Sequence, residues 1–174
     1  MMDENTDLAI LKARAKQLAQ ERTHEEEDGE SIEVTVFSVA KKLYAVELRY
    51  IEEVLPVGNI TPLPGAPNYI LGILNIRGRI VALNDLKPIF GLSDEAGGQP
   101  NHGVVVVDGE MELALAADEL VGVTTLKQLH LIPPPPTMTP DQKLFIRGVT
   151  QNHLIVLDAA AMLASKALIV NQKE

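Results

Sequence analysis

The run Leu71-Gly72-Ile73-Leu74-Asn75-Ile76-Arg77-Gly78-Arg79-Ile80-Val81-Ala82-Leu83-Asn84-Asp85-Leu86 decides how this chain folds. Two apolar segments, each able to form a strand, flank Arg77-Gly78-Arg79. Glycine adopts positive φ without a Cβ clash, so Gly78 suits the tight connection that two twisted strands require. The second strand runs into Asn84-Asp85, whose side chains can accept free N–H groups at a helix start. Gly91 supplies the matching stop after Leu86 to Phe90. The stretch therefore predicts strand, turn, strand and short helix.

Immediately upstream, Pro62, Pro64 and Pro67 stiffen the approach to a predicted short helix, with Pro67 in its first turn and Gly72 at its exit. Before that, Ile51-Glu52-Glu53-Val54-Leu55 reads as a strand ended by Pro56 and Gly58-Asn59. Its two carboxylates invite an acid–base reading. Neighbours on a regular strand point to opposite faces, however, so they cannot share one reaction centre, and Glu52 is expected to be a solvated charge. Further back the period is again two. Ile32, Val34 and Val36 alternate with Glu33 and Thr35. After a turn at Ala40-Lys41-Lys42, the residues Tyr44, Val46 and Leu48 alternate with Ala45 and Glu47. This is an expected antiparallel pair with one wet face.

Downstream, Ser93 to His102 is a loop containing Gly97-Gly98 and Pro100. Val104-Val105-Val106-Val107 is apolar on both faces and must lie inside. Asp108-Gly109 is a hairpin turn, after which Met111, Leu113 and Leu115 alternate back. Pro133 to Pro136 are held near polyproline II geometry and make a rigid strap between strands. Leu154 to Leu157 is a strand, and Asp158 caps a last helix with Ala160, Ala161, Met162 and Leu163. Residues after Val170 read as loose. Ile76-Arg77-Gly78 has an echo seventy residues later in Ile146-Arg147-Gly148. Each leads through an apolar strand to a capping residue, Asn84 or Asp158, which suggests two similar half-structures.

The first thirty residues differ in kind. Leu8, Leu11, Ala15 and Leu18, with Ile10 and Ala19 beside them and Asn5 or Thr6 as caps, form one apolar helical stripe. Such a helix either frays alone or docks on the barrel or a partner. His24 to Ser31, with Glu25-Glu26-Glu27-Asp28, has little to bury and reads as a linker. The expected organisation is thus a helix and acidic linker over 1–30 and one domain over 31–174.

The chain has 174 residues, room for one full core. Apolar residues make up 46% and aromatics only 3%, so that core is aliphatic. The net charge is −9, and the first thirty residues hold nine acids against four bases. No basic stripe offers counterion release on nucleic acid, and anionic membranes are disfavoured for the same reason. The absence of cysteine excludes disulfides and thiolate metal sites. With neither a secretory signal nor a run of roughly 18 apolar residues, the expectation is a cytoplasmic protein without direct membrane insertion.

Catalytic chemistry finds no footing. Gly97-Gly98 lacks the surrounding glycines, following lysine and helix start of a phosphate loop. His24, His102, His130 and His153 lack paired ligand spacing, so no metal site is expected. No serine sits in a nucleophile elbow. The chain reads as a non-enzyme that needs no cofactor. Arg77 stands out, because arginine presents five donors in a fixed fork and is favoured at interface hot spots.

Several motifs together resemble the CheW family of chemotaxis coupling proteins. They are Tyr44-Ala45-Val46 with Ile51-Glu52-Glu53-Val54, then Leu63-Pro64-Gly65-Ala66-Pro67, Gly72-Ile73-Leu74-Asn75-Ile76-Arg77-Gly78 and Asn84-Asp85-Leu86-Lys87-Pro88-Ile89-Phe90-Gly91-Leu92. Ala117-Asp118-Glu119-Leu120-Val121-Gly122-Val123 and Ile146-Arg147-Gly148-Val149 follow in the expected order. The resemblance spans about Ser31 to Leu163. It implies a mainly β fold of two small five-stranded SH3-like barrels packed together, with short peripheral helices, to which this chain adds its amino-terminal helix. It implies a scaffold that binds the regulatory domain of a CheA-type histidine kinase and the cytoplasmic tip of a methyl-accepting chemoreceptor, and is recruited to membrane receptor arrays. The family's interface positions fall on Arg77, Gly78, Glu53, Ile51 and Gly72, and Glu53 and Arg77 are expected to pair. Where the family commonly has Val-Pro-Val-Ile-Asp-Leu, this chain has Val81-Ala82-Leu83-Asn84-Asp85-Leu86, so the exit of that strand is expected to differ. This departure and the amino-terminal helix leave open a paralogue serving a pilus or biofilm system. No receiver domain of the longer CheV type is expected. The competing class is a small-molecule-binding β-barrel.

Overall fold

The computed structural model describes residues 30–92, 99–165 and 168. The expected amino-terminal helix, the acidic stretch from His24 to Gly29, Gly97-Gly98 and the residues after Val170 lie outside the described residues. Ten strands follow in order: β1 (Ser31–Val39), β2 (Lys42–Glu47), β3 (Ile51–Pro56), β4 (Ile70–Ile76), β5 (Arg79–Asn84), β6 (His102–Asp108), β7 (Met111–Ala117), β8 (Glu119–Lys127), β9 (Ile146–Val149) and β10 (Ile155–Leu157). They form two five-stranded sheets, ordered β8-β1-β2-β10-β9 and β3-β6-β7-β5-β4. Short helices lie at Leu86–Ile89, Pro140–Leu144 and Ala159–Ala164, and the first and last bury Leu86, Ala159, Met162 and Leu163.

Each sheet curls into a small SH3-like barrel that is closed by the chain following an edge strand. After β3, Thr61 bridges to Ile73 of β4 through N–H···O bonds of 3.1 and 2.8 Å. After β8, Ile132 bridges to Val149 of β9 through two bonds of 2.9 Å. The two sheets have the same plan. An antiparallel hairpin (β1-β2 or β6-β7) lies parallel to the second strand of a later or earlier hairpin (β10 or β5). The halves are reciprocally exchanged: β1-β2 serve the first barrel while β3, β4 and β5 serve the second, and β6-β7 serve the second while β8, β9 and β10 return to the first.

Burial follows from this plan. Leu74, Ile76, Val81, Leu83, Val105 and Ala114 fill the second barrel, and Ile32, Val34, Val36, Ala45 and Val156 fill the first. Between the barrels lies a third core, with Phe37, Tyr44 and Val46 from one sheet facing Val104, Val106, Leu113 and Leu115 from the other. The valine run of β6 is apolar on both faces because even and odd positions point into different cores. The same logic corrects the wet face expected of β1-β2. Thr35, Ala45 and Glu47 are all buried, since this pair is a wall between two cores, and Glu47 is held by Arg49 and Arg147. Leu48 leaves the alternation and lies exposed in a 3-10 turn at Leu48–Tyr50.

The deciding hairpin forms as its sequence predicts. Asp85 caps the Leu86–Ile89 helix by accepting the Lys87 N–H, and Gly91 stops it at φ 64°. Two expectations fail. No helix precedes Gly72; the residue lies inside β4 at φ 153°, where an added Cβ would stand 2.4 Å from the Thr61 carbonyl oxygen. Gly72 is therefore needed for barrel closure. Gly148 is likewise not a turn residue but part of β9, where an added Cβ would meet Leu131 Cβ at 2.8 Å. The halves do echo each other, but the matching glycines are Gly72 and Gly148, each beside a closing bridge. The Ile-Arg-Gly triplets are out of register.

Candidate functional site

The β4-β5 hairpin ends in a two-residue turn. Ile76 pairs with Arg79, and both central residues have positive φ, 52° at Arg77 and 88° at Gly78. That is the backbone of a type I′ turn, which matches strand twist and favours Asn-Gly. Gly78 donates its N–H to Asn75 Oδ1 at 2.9 Å. Arg77 thus holds a conformation that costs an L-residue roughly 1 kcal/mol, and its side chain is 78% exposed.

The turn meets β3 across the mouth of the second barrel. Arg77 Nη2 donates to Glu53 Oε2 at 3.2 Å, Arg79 Nη2 donates to Glu52 Oε2 at 2.9 Å, and Arg79 Nη1 donates to Glu112 Oε2 at 2.8 Å. Glu52 and Glu53 both reach this hairpin because β3 is bulged there: Ile51 opposes Val106 and Glu53 opposes Val105, with Glu52 as the extra residue. The expectation that the two glutamates diverge and that Glu52 is merely solvated fails for this reason. The Arg79 pKa is raised, first by the hydrogen bond to Glu52 and then by the charge of Glu112. Three carboxylates against two guanidinia leave the cluster acidic, with Arg77 as its exposed positive pole. Ile80 and Met111, both large and exposed, lie next in sequence to Arg79 and Glu112.

Of the five expected interface positions, the structure brings Glu53, Arg77 and Gly78 together. Ile51 is half-buried against the inter-barrel core, and Gly72 is buried at the closing bridge. Arg79, Glu52 and Glu112 escaped the sequence reading. The Arg-Gly-Arg spacing is the available signal for the first, because it places one arginine in the two-residue turn and the next at the strand position that closes it. The clefts along the surface are not barrel interiors, which aliphatic side chains fill. Among the described residues, no helix is long and apolar enough to cross a membrane.

A family model described as the CheW-like domain matches residues 33–167. The chain belongs to the CheW-like family. It is 29% identical over 146 residues to the chemotaxis protein CheW of Treponema pallidum, covering 80% of this chain and 86% of that protein. It is also 29% identical over 133 residues to the chemotaxis protein CheW of Helicobacter pylori, covering 76% and 80%. The crystal structure of the scaffolding protein TtCheW from Thermoanaerobacter tengcongensis superposes with a TM-score of 0.67 at 27% identity, covering 84% of this chain and 93% of that one. Within this CheW-like chain Ala82 and Asn84 lie in β5, and Asp85 caps the helix that follows. Asn84 carries an amide into a fully buried position.

Proposed function

We propose that this chain is a non-enzymatic adaptor of chemotaxis signalling that couples receptors to a CheA-type histidine kinase. One barrel takes the kinase's regulatory domain, and the groove between the barrels takes the receptor's cytoplasmic tip. Occupancy of both surfaces favours one arrangement of the kinase, so the coupling is a linkage free energy with no covalent step.

The observation that carries this reading is Arg77 itself. At φ 52°, asparagine or glycine serves the turn better, and an ion pair so open to solvent returns only about 0–1 kcal/mol. Stability alone therefore gives little reason for an arginine there, whereas a rigid fork displayed on a strained turn is what recognition of a carboxylate uses. Glu53 orients that fork, and Ile80 and Met111 add apolar area beside it.

The test measures binding of the wild type and Arg77→Glu to the kinase regulatory domain and to a receptor cytoplasmic fragment. The expected result is binding of both by the wild type and at least an approximately tenfold loss for one partner in the variant, about 1.4 kcal/mol. The melting temperature should change little. Equal binding by Arg77→Glu would remove Arg77 from the working surface, and a folded wild type that binds neither partner would end the adaptor reading.

A further inference from the structure

Arg49 lies far from the ion cluster of the second barrel in the plan of the fold, in the Leu48–Tyr50 turn through which the chain first passes between barrels. That turn packs on β1 of one barrel and on β6 of the other. The Arg49 Nε stands 2.7 Å from Glu47 Oε2, and its Nη2 donates to the Tyr50 hydroxyl at 2.9 Å. Its guanidinium carbon is 4.7 Å from the centroid of the Tyr50 ring, and Tyr50 is itself packed against the inter-barrel core. The arginine is thus fixed by an ion pair, a hydrogen bond and a ring, yet its side chain is 68% exposed. Its Nη1 has no partner among the described residues.

Stability gives little reason for this arrangement. Glu47 is buried and also pairs with Arg147 Nη1, so its charge is met without Arg49, and an ion pair this open to solvent adds little. Two guanidinia on one carboxylate leave a surplus positive charge at the turn. A fork already immobilised on a ring loses little freedom when it binds a carboxylate. Arg49 shares a cleft of about 710 Å³ with the exposed Leu48, with Arg147, and with Glu30 and Glu33. These two glutamates repel a uniformly acidic ligand, so the cleft selects one carboxylate on a segment that is otherwise neutral or basic.

We infer that Arg49 anchors one carboxylate of the receptor's cytoplasmic tip at the rim of the groove between the barrels. The inference rests on the adaptor reading and adds to it the chemistry of one contact. The occupant is the receptor because the turn stands at the seam of the two barrels and runs directly into Ile51, whereas the kinase is assigned to a single barrel. Leu48 adds apolar area beside the anchor.

The test measures affinity of the full chain for a receptor cytoplasmic fragment and for the kinase regulatory domain. Arg49→Ala should lower affinity for the receptor fragment at least about tenfold and leave that for the kinase domain unchanged. Arg49→Lys keeps the charge but loses the fork, and should still cost about threefold or more. Both variants should melt close to the wild type, because Glu47 retains Arg147. Arg49→Glu should remove binding, and exchange of one acidic residue at the fragment's tip for lysine should restore it, a rescue that a purely structural role cannot produce. A folded wild type that binds neither partner ends the adaptor reading and this anchor with it. If the wild type binds the receptor fragment, three results would overturn the anchor and leave the adaptor standing: equal binding by Arg49→Ala, a loss confined to the kinase domain, or no rescue of Arg49→Glu by any single exchange.

Discussion

Gly72→Ala and Gly78→Ala add the same methyl group to the same hairpin, yet the structure assigns them different consequences. At Gly78, with φ 88°, an added Cβ meets nothing within 4 Å. Only the left-handed backbone opposes the change, at about 1 kcal/mol. At Gly72, with φ 153°, the same Cβ would stand 2.4 Å from Thr61 O and 2.6 Å from Ile60 Cγ2. The first of these is a backbone atom, so a rotamer change cannot relieve it. Thr61 must retreat, which breaks both hydrogen bonds of the bridge to Ile73. Two bonds at about 1 kcal/mol each, added to a conformational cost of about 1–2 kcal/mol, give roughly 3–4 kcal/mol. That is a large part of a stability of about 5–15 kcal/mol. Urea denaturation should show a midpoint for Gly72→Ala far below that of Gly78→Ala. Equal losses for the two variants would refute barrel closure as the role of Gly72.

Two further outcomes follow from strain and burial. Tyr44, stacked between Phe37 and Phe90, has a hydroxyl without a partner among the described residues, and burial pushes its pKa up to about 12. The phenol loses its proton near pH 10 in the unfolded chain but only near 12 in the fold, so stability is unaffected below pH 10 and falls as pH rises toward 12, by on the order of 2–3 kcal/mol in all. Tyr44→Phe should raise stability at neutral pH by about 1 kcal/mol and remove this alkaline component, as read from urea midpoints between pH 9 and 11.5. A wild-type and variant pair with parallel pH profiles would contradict the buried phenol. The β1-β2 turn is also made by residues unsuited to it, Ala40 at φ 50° and Lys41 at φ 66°. Replacing them by Asn-Gly should raise stability by about 1–2 kcal/mol in thermal and urea melts, and a loss would show that the hydrogen bond from the Ala40 N–H to Asp118 depends on alanine there.

What could be read from sequence was local. The hairpin from Leu71 to Leu86, the Asp85 and Asp158 caps, the Gly91 stop and the two-faced valine run of β6 each depend on residues within a turn or a strand of one another. Gly72 and Gly148 misled because their glycine requirement arises from Thr61 and from Leu131 and Ile132, on segments separated from them by loops. The joint reach of Glu52 and Glu53 was hidden for a related reason. A bulge is defined by the partner strand, here β6, and the alternation of β3 alone gives no sign of it. Glu53 and Arg77 were found together through motif positions, whereas Arg79 and Glu112 meet through the parallel pairing of β5 with β7, which neither strand's own sequence declares.

The reciprocal exchange of strands has a mechanical consequence. The chain crosses from one barrel to the other twice, through the turn at Leu48–Tyr50 and through Asp118 alone, which is all that separates β7 from β8. Asp118 is moreover tied to the opposite hairpin, its N–H on Ser38 O and its carboxylate on the Ala40 N–H. With two taut crossings and a common aliphatic core, the barrels have no hinge between them. A torque applied to one turns the other by the same angle, so the molecule acts as a stiff crank rather than as two beads on a string.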